Sequence, residues 1–221
     1  MKRFRGRQDG IVWRVWAMLA VIVFNASLFG TARAEDAVFR IGVLAIRGPE
    51  QCLVSWSPTA DYLSRRIPGH RFAIVPLTHG QIKSHVKRGD VDFVLANSAL
   101  YVGLEHWYRA NRIATMKERR GQGIYTQYGA VIFCRSDEKA LRRLADLEGK
   151  TFMAVSESSL GGWLMAWREL EENGIDPYRD FRALRFGETH DRVVFAVRDR
   201  QVDAGTVRTN TLEALAAEGH I

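Results

Sequence analysis

Val155-Ser156-Glu157-Ser158-Ser159-Leu160-Gly161-Gly162-Trp163 is the stretch from which the rest of the chain can be interpreted. It follows the apolar segment 150–155, which predicts a short buried strand, and it precedes a predicted helix over 164–173. A strand that enters a helix through serine and glycine leaves the first backbone N–H groups of that helix unpaired. Those donors favour an anion, and glycine lets a ligand approach the backbone. A serine N-cap with a tight turn explains the same residues without a ligand.

The charge distribution argues against a nucleic-acid partner. The 221 residues carry a formal net charge of +7, but residues 1–34 hold six basic residues and only one acidic residue. The remainder has 26 basic and 24 acidic residues and is therefore nearly neutral. A near-neutral body has no broad basic face with which to displace counterions from a phosphate backbone.

The first 34 residues have the pattern of a secretory signal peptide. A basic start is followed by ten apolar residues, 15–24, and by Ala32-Arg33-Ala34 as a small-x-small cleavage site. Cleavage after Ala34 would place the mature chain outside the cytoplasm, in the periplasm. An uncleaved N-terminal anchor is the alternative. Export also permits a disulfide between Cys52 and Cys134, although two buried free thiols fit equally well.

Predicted strands and helices alternate over the rest of the chain. The strands are expected at 39–46, 72–77, 91–96, 113–116, 124–134, 151–155, 182–186 and 202–207. Helix starts are expected at Ser57-Pro58, Thr78, Asn97, a site before Leu141, and Thr189. The alternation predicts an α/β fold with mainly parallel sheets covered by helices.

An internal similarity divides the chain into two predicted lobes. The segment 86–98 aligns without gaps on 197–209, and each contains a helix end, a turn, Val-Asp and a strand followed by polar residues. We therefore expect lobe 1 at 35–127 and lobe 2 at 128–221. Ligands of open α/β sheets bind beyond the carboxyl ends of the strands, and clefts between lobes are favoured pockets.

Ten residues are predicted to bind a ligand in that cleft. The serine loop and its glycines supply hydroxyl and backbone donors, Arg208 supplies a planar fork for an oxyanion, and His190 lies at a helix start. The full set is Ser158, Ser159, Gly161, Gly162, His190, Arg208 and Thr209 in lobe 2, and Asn97, Ser98 and Tyr101 in lobe 1. For each of them a role in capping, solvation or packing is the alternative. Glu118 and Glu172 are interpreted as solvated surface charges.

Catalytic motifs are lacking in the sequence. It contains no Gly-x-Ser-x-Gly elbow, no His-Glu-x-x-His and no Cys/His spacing typical of a metal site, so we predict no enzyme, no metal and no cofactor. A serine hydrolase that uses Ser159 and His190 is the alternative from a different class, although no strained elbow presents the serine.

Five motifs, in their order and spacing, resemble the phosphonate-binding-type periplasmic solute-binding proteins. They are Leu147-Glu-Gly-Lys150-Thr-Phe, Ser159-Leu-Gly-Gly-Trp163, Gly174-Ile-Asp-Pro177, Phe186-Gly-Glu-Thr-His-Asp191 and Val202-Asp-Ala-Gly-Thr-Val-Arg208. The resemblance implies a bilobal type II periplasmic-binding-protein fold that closes on an oxyanion and performs no chemistry. It also implies that the C-terminal segment which completes the first lobe in that family is missing from this chain.

The sequences of two motifs resemble those of a subset of that family. Gly-Gly-Trp and Val-Arg-Thr-Asn-Thr-Leu-Glu resemble the extracytoplasmic sensor domains of histidine kinases, including tetrathionate-type sensors. Transport members tend to carry an acidic residue near the position of Arg208 for a ligand amine, so an arginine there argues against an aminophosphonate. We therefore expect an exported domain that captures a small phosphonate-like or sulfur oxyanion. Its partner would be an ABC transporter permease or the kinase module of a two-component system.

Overall fold

Strands of residues 37–120 and 122–221, which the computed structural model describes, form three sheets. The strands are β1 (Ala37–Leu44), β2 (His70–Leu77), β3 (Phe93–Leu95), β4 (Glu118–Arg120), β5 (Gly123–Tyr125), β6 (Ala130–Cys134), β7 (Thr151–Ala154), β8 (Ala183–Phe186) and β9 (Ala204–Arg208). The α-helices are α1 (Pro49–Arg66), α2 (His79–Arg88), α3 (Ser98–Tyr108), α4 (Met165–Glu172), α5 (Pro177–Asp180), α6 (His190–Arg198) and α7 (Thr211–Ala217). The predicted signal peptide, residues 1–34, lies outside the described residues.

The first sheet has the strand order β2-β1-β3, and all of its pairs are parallel. Because side chains alternate along a strand, β1 directs Leu44 to one face and Val43 to the other. Leu44 packs with Ile82 of α2 and Leu100 of α3, whereas Val43 packs with Cys52 of α1. Each fully buried leucine or isoleucine of this kind stabilises the fold by about 1.5–3 kcal/mol. The helices therefore pack against both faces of the sheet.

The second sheet has the order β6-β9-β7-β8, with parallel pairs except for the antiparallel β6-β9 pair. On one face Phe152 packs with Trp163, which is fully buried and stacks on Trp167 at a centroid distance of 5.7 Å. On the other face Met153 packs with Val193 and Val197 of α6. The prediction of mainly parallel sheets covered by helices is confirmed for both sheets.

The two sheets repeat one plan, and an aspartate anchors the same pairing in each. The N–H of Arg40 in β1 donates to Asp92 Oδ2 at 2.7 Å, and the N–H of Thr151 in β7 donates to Asp203 Oδ2 at 2.7 Å. The gapless alignment of 86–98 with 197–209 matches Asp92 with Asp203, and its extension matches Arg40 with Thr151. The pairing of Ile41 with Phe93 likewise corresponds to that of Phe152 with Ala204.

Two helix predictions were wrong. Helix α1 begins at Pro49, with Gly48 as its N-cap at φ 99°, and the predicted start Ser57-Pro58 lies inside it. Burial of Cys52 before that point extends the helix in spite of the internal proline. The predicted helix around Leu141 is a single 3₁₀ turn, Leu144–Leu147.

The predicted strands at 113–116 and 124–134 also differ from the structure. No strand occupies 113–116, and β4 and β5 form an antiparallel hairpin just after it. The segment 124–134 is divided between β5 and β6. Cys52 and Cys134 are both free. None of the helices within 37–120 and 122–221 is long and apolar enough to cross a membrane.

We predict that Asp203→Ala lowers the free energy of unfolding by about 2 kcal/mol and that Asp92→Ala lowers it by about 1 kcal/mol. Asp203 accepts from both the N–H and the hydroxyl of Thr151, whereas Asp92 accepts the N–H of Arg40. Burial acts to raise the pKa of Asp203, but the bonds from Thr151 hold it below its usual value. Denaturant unfolding would measure both losses. Asp199→Ala, at an exposed ion pair with Arg198, is the control; equal losses in all three variants would contradict the prediction.

Candidate functional site

A cavity of about 1080 Å³ is lined by residues from both sheets and from the helices that follow their strands. Its size is at the upper end of the range for small-molecule sites. Seven of the ten predicted ligand-binding residues line it, namely Asn97, Ser98, Tyr101, Ser159, Gly161, His190 and Arg208. The structure therefore brings most of the predicted set, from both halves of the chain, to one cavity.

Ser159 is buried and begins the helix that the serine loop enters. Its Oγ accepts a hydrogen bond from Gly162 N at 3.2 Å, and only 2% of the residue is exposed. The first turn, Leu160–Leu164, is a π-helical turn, which widens the helix at this point. Gly162 N is thus already paired, which differs from the prediction that it serves as a ligand donor.

The two glycines of the loop allow close packing as well as access. A Cβ on Gly161 would lie 2.8 Å from Arg208 Cβ and 3.0 Å from the Gly129 carbonyl oxygen. A Cβ on Gly162 would lie 2.4 Å from Val155 Cγ2 and 2.7 Å from Ser159 Oγ. Side chains at these positions would push the loop away from β7 and β9. The glycines therefore hold the serine loop against Arg208.

His190 is a buried, neutral hydrogen-bond donor at the start of α6. Thr189 caps this helix by accepting from Arg192 N, and His190 Nδ1 accepts from Arg208 N at 3.2 Å. Burial, followed by the charge of Arg208 and the proximity of His79, lowers the pKa of His190 to about 3. A neutral imidazole whose Nδ1 accepts must carry its proton on Nε2. His190 therefore has an N–H to offer a ligand oxygen.

Arg208 ends β9 and places a positive charge on the cavity wall. Its Nη2 lies 2.7 Å from Glu118 Oε2, and its guanidinium lies over the Tyr128 ring at 4.7 Å. The side chain of Arg208 is 16% exposed and that of Glu118 is 30% exposed. The interpretation of Glu118 as a solvated surface charge was therefore wrong, because β4 brings it to the site. No sequence signal related Glu118 to an arginine so far along the chain.

The predicted residues from the first half lie at the start of α3. Asn97 caps the helix, since its Oδ1 accepts from Leu100 N at 2.9 Å, and its Nδ2 donates to the Ser158 carbonyl at 3.4 Å. The Tyr101 hydroxyl donates to Glu105 at 2.6 Å, and this bond raises the pKa of Tyr101. Asn97 thus links the first sheet to the serine loop.

Ser158, Gly162 and Thr209 make structural contacts outside the cavity lining. Ser158 supplies the carbonyl that Asn97 binds, and its hydroxyl lies 3.5 Å from Ser156 Oγ. The hydroxyl of Thr209 accepts from Gly129 N at 3.2 Å, and its N–H donates to the Gly129 carbonyl at 3.0 Å. These three residues hold the loop and the crossover before β6 in place.

His79 lines the same cavity and was missed in the sequence analysis. It is the first residue of α2, where Thr78 and Gln81 form the predicted capping box. Only 5% of His79 is exposed, and burial lowers its pKa to about 4. The signal that identifies it is the internal alignment, whose extension matches Thr78-His79 with Thr189-His190.

The geometry argues against the hydrolase alternative. A catalytic histidine must accept the serine proton on an unprotonated ring nitrogen. His190 accepts from Arg208 N through Nδ1, so its Nε2 is protonated in the neutral ring and cannot serve as that base. Within 37–120 and 122–221, no group of three His, Cys, Asp or Glu side chains is placed to hold a metal ion.

Comparison with known proteins relates the chain to binding and sensing proteins. The tetrathionate sensor histidine kinase TtrS of Salmonella typhimurium is 34% identical over 189 residues, which are 85% of this chain and 32% of that protein. The chain thus spans about a third of the length of this curated relative.

Two solved structures share the fold. PhnD1 of Prochlorococcus marinus, in complex with methylphosphonate, has a TM-score of 0.69 at 17% identity, over 82% of this chain and 67% of that one. A binding protein component of a phosphonate ABC transporter of Pseudomonas aeruginosa has a TM-score of 0.68 at 18% identity, over 83% of this chain and 61% of that one. At these identities the likeness shows the fold alone, which is that of a type II periplasmic binding protein.

The family of the periplasmic substrate-binding proteins of phosphonate ABC transporters matches residues 41–221. That match includes the second sheet, the first sheet from Ile41 onward, and every residue of the cavity discussed above. The chain therefore belongs to the phosphonate-binding family of periplasmic solute-binding proteins.

Proposed function

We propose that this chain is an exported domain that binds a small oxyanion in the cavity between its two sheets. The observation that carries the proposal is the buried His190 imidazole at the start of α6, whose Nδ1 accepts from Arg208 N and so leaves the proton of the neutral ring on Nε2. A neutral donor, a guanidinium and a helix N-terminus together form a favourable environment for an anion. Export would follow cleavage of the leader after Ala34 and place the domain in the periplasm.

The ion pair between Arg208 and Glu118 restricts the charge of the ligand. Their 2.7 Å contact cancels much of the guanidinium charge, and both side chains are partly buried. A ligand must either displace Glu118 or bind Arg208 from another side of its planar fork. A doubly charged oxyanion competes for the guanidinium better than a singly charged one. We therefore favour a small dianion.

Sensing is favoured over transport by the degree of similarity. The chain is 34% identical to a tetrathionate sensor kinase, whereas the two phosphonate-binding structures are 17% and 18% identical. We propose a sulfur oxyanion such as tetrathionate as the first candidate ligand and a histidine kinase module as the partner. Capture of a phosphonate for an ABC permease is the second candidate.

Closure of two lobes would couple the ligand to the partner. The lobes would be residues 35–127 and 128–221, with a hinge at Tyr128–Ala130. The contacts of Thr209 with Gly129 and of Arg208 with Tyr128 place this crossover directly beside the cavity. An anion that draws Arg208 and the first-sheet residues together would change the conformation of the crossover.

We predict that the purified protein is stabilised by tetrathionate more than by phosphate, methylphosphonate, sulfate or thiosulfate. A ligand at about a hundred times its Kd adds about 2.7 kcal/mol to the free energy of unfolding. Thermal unfolding with each sodium salt would measure the effect, and sodium chloride at equal ionic strength is the control. A cooperative transition that none of the five anions raises above the chloride control would overturn the proposed function.

The second prediction for this site concerns its charges. Arg208→Ala should weaken anion binding about 10- to 100-fold, because it removes a charged hydrogen-bond donor. Glu118→Gln should strengthen binding about tenfold, because the guanidinium is then no longer neutralised. Titration calorimetry with the anion that stabilises the wild type would test both.

Glu172→Ala is the matched control for these substitutions. Glu172 pairs with Arg168 on the exposed face of α4, so its loss should leave the affinity unchanged. Equal effects of Arg208→Ala and Glu172→Ala would remove Arg208 from the binding site. A loss of affinity in Glu118→Gln would show that Glu118 orients Arg208 and does not compete with the ligand.

A further inference from the structure

His79 is a buried polar side chain whose Nε2 atom has no hydrogen-bond partner. Its Nε2 is inaccessible to solvent and makes no hydrogen bond with the described residues, while the residue lines the cavity. A buried nitrogen without a partner destabilises the fold, so most such groups in proteins are hydrogen-bonded. Closure of the two lobes on a ligand in the cavity would give this nitrogen a partner.

The two halves of the chain place matching residues around the cavity. The extended internal alignment matches Thr78-His79 with Thr189-His190, and it matches Asn97 with Arg208. Each histidine is the first residue of a helix of nine or ten residues that follows a threonine N-cap. The correspondence holds in three dimensions, because both histidines are buried and both line the cavity.

The two imidazoles also interact electrostatically. Burial lowers the pKa of His190 most, followed by the charges of Arg208 and His79. Both rings are neutral at pH 7, and each carries one N–H. The difference between the halves is charge, since Asn97 occupies the position that corresponds to Arg208.

We propose that His79 is a ligand-contacting residue, the first-sheet counterpart of His190, and that the two imidazoles bind oxygens of one oxyanion from opposite sheets. This inference rests on the proposed function of the same cavity. Arg208 supplies the charge from the second sheet, and His79 supplies an uncharged hydrogen bond from the first. The site then selects an anion with acceptor oxygens on two sides, and His79 helps the ligand to hold the two sheets together.

Three variants of one helix test the proposal. His79→Leu removes the ring nitrogens, His79→Gln keeps a side-chain amide, and His85→Leu is the matched control on the same helix. His85 Nδ1 lies 3.2 Å from Asp90 Oδ2, and His85 does not line the cavity. The full chain and each variant would be titrated calorimetrically with tetrathionate, thiosulfate, methylphosphonate, phosphate and sulfate, and the thermal unfolding of each ligand-free protein would be measured.

The expected result is a loss of affinity without a loss of fold. For each anion that the wild type binds, His79→Leu should raise the Kd about 10- to 100-fold, His79→Gln should raise it less, and His85→Leu should leave it unchanged. The ligand-free melting temperature of His79→Leu should not fall, because the substitution removes a buried nitrogen that has no partner. That combination separates ligand contact from a structural role.

Other results would overturn the inference in distinct ways. If both His79 variants bind with wild-type affinity, His79 does not contact the ligand, although the proposed function stands. If His79→Leu does not unfold cooperatively, His79→Gln decides, and wild-type binding by that variant rejects the proposal. If the wild type binds none of the five anions, the proposed function fails, and the role of His79 fails with it.

Discussion

The parallel pairing of a central strand with the strand that ends at the cavity is the constraint on which the rest of the structure depends. An aspartate anchors it in each sheet, Asp92 on the Arg40 N–H and Asp203 on the Thr151 N–H. Parallel strands end at the same edge, so the helices that follow them begin side by side. Together with the neighbouring β1–β2 and β7–β8 pairings, it brings His79, Asn97, His190 and Arg208 to one cavity, although they lie far apart in the sequence.

Burial then determines the charge state of both histidines. They are taken out of water, and the pKa falls to about 4 for His79 and about 3 for His190, so both rings are neutral at pH 7. The one guanidinium in this set of residues is neutralised by Glu118. Recognition in such a site depends on the direction of hydrogen bonds more than on excess positive charge. The near-neutral composition of the chain beyond residue 34 agrees with this arrangement.

The serine loop combines close packing with access to the cavity. The Ser159 hydroxyl accepts a hydrogen bond from Gly162 N. Gly161 lets the loop lie so close to Arg208 that a Cβ on Gly161 would be only 2.8 Å from Arg208 Cβ. The same closeness brings Ser159 and Gly161 to the cavity wall. Because Gly161 has no side chain, the backbone packs closely here and also remains accessible from the cavity.

The sequence by itself determined the local structure and the family. The caps at Thr78, Asn97 and Thr189 and the alternation of strands with helices could be predicted because these signals depend on residues within a few positions of one another. The start of α1 was mispredicted because Pro49 and Pro58 are equivalent locally, and only the burial of Cys52 distinguishes them. Tertiary structure alone decided the pairing of Glu118 with Arg208, the protonated nitrogen of His190 and the unpartnered nitrogen of His79. Each of these depends on atoms brought together by chain segments that are distant in sequence, and no short-range pattern encodes such distances.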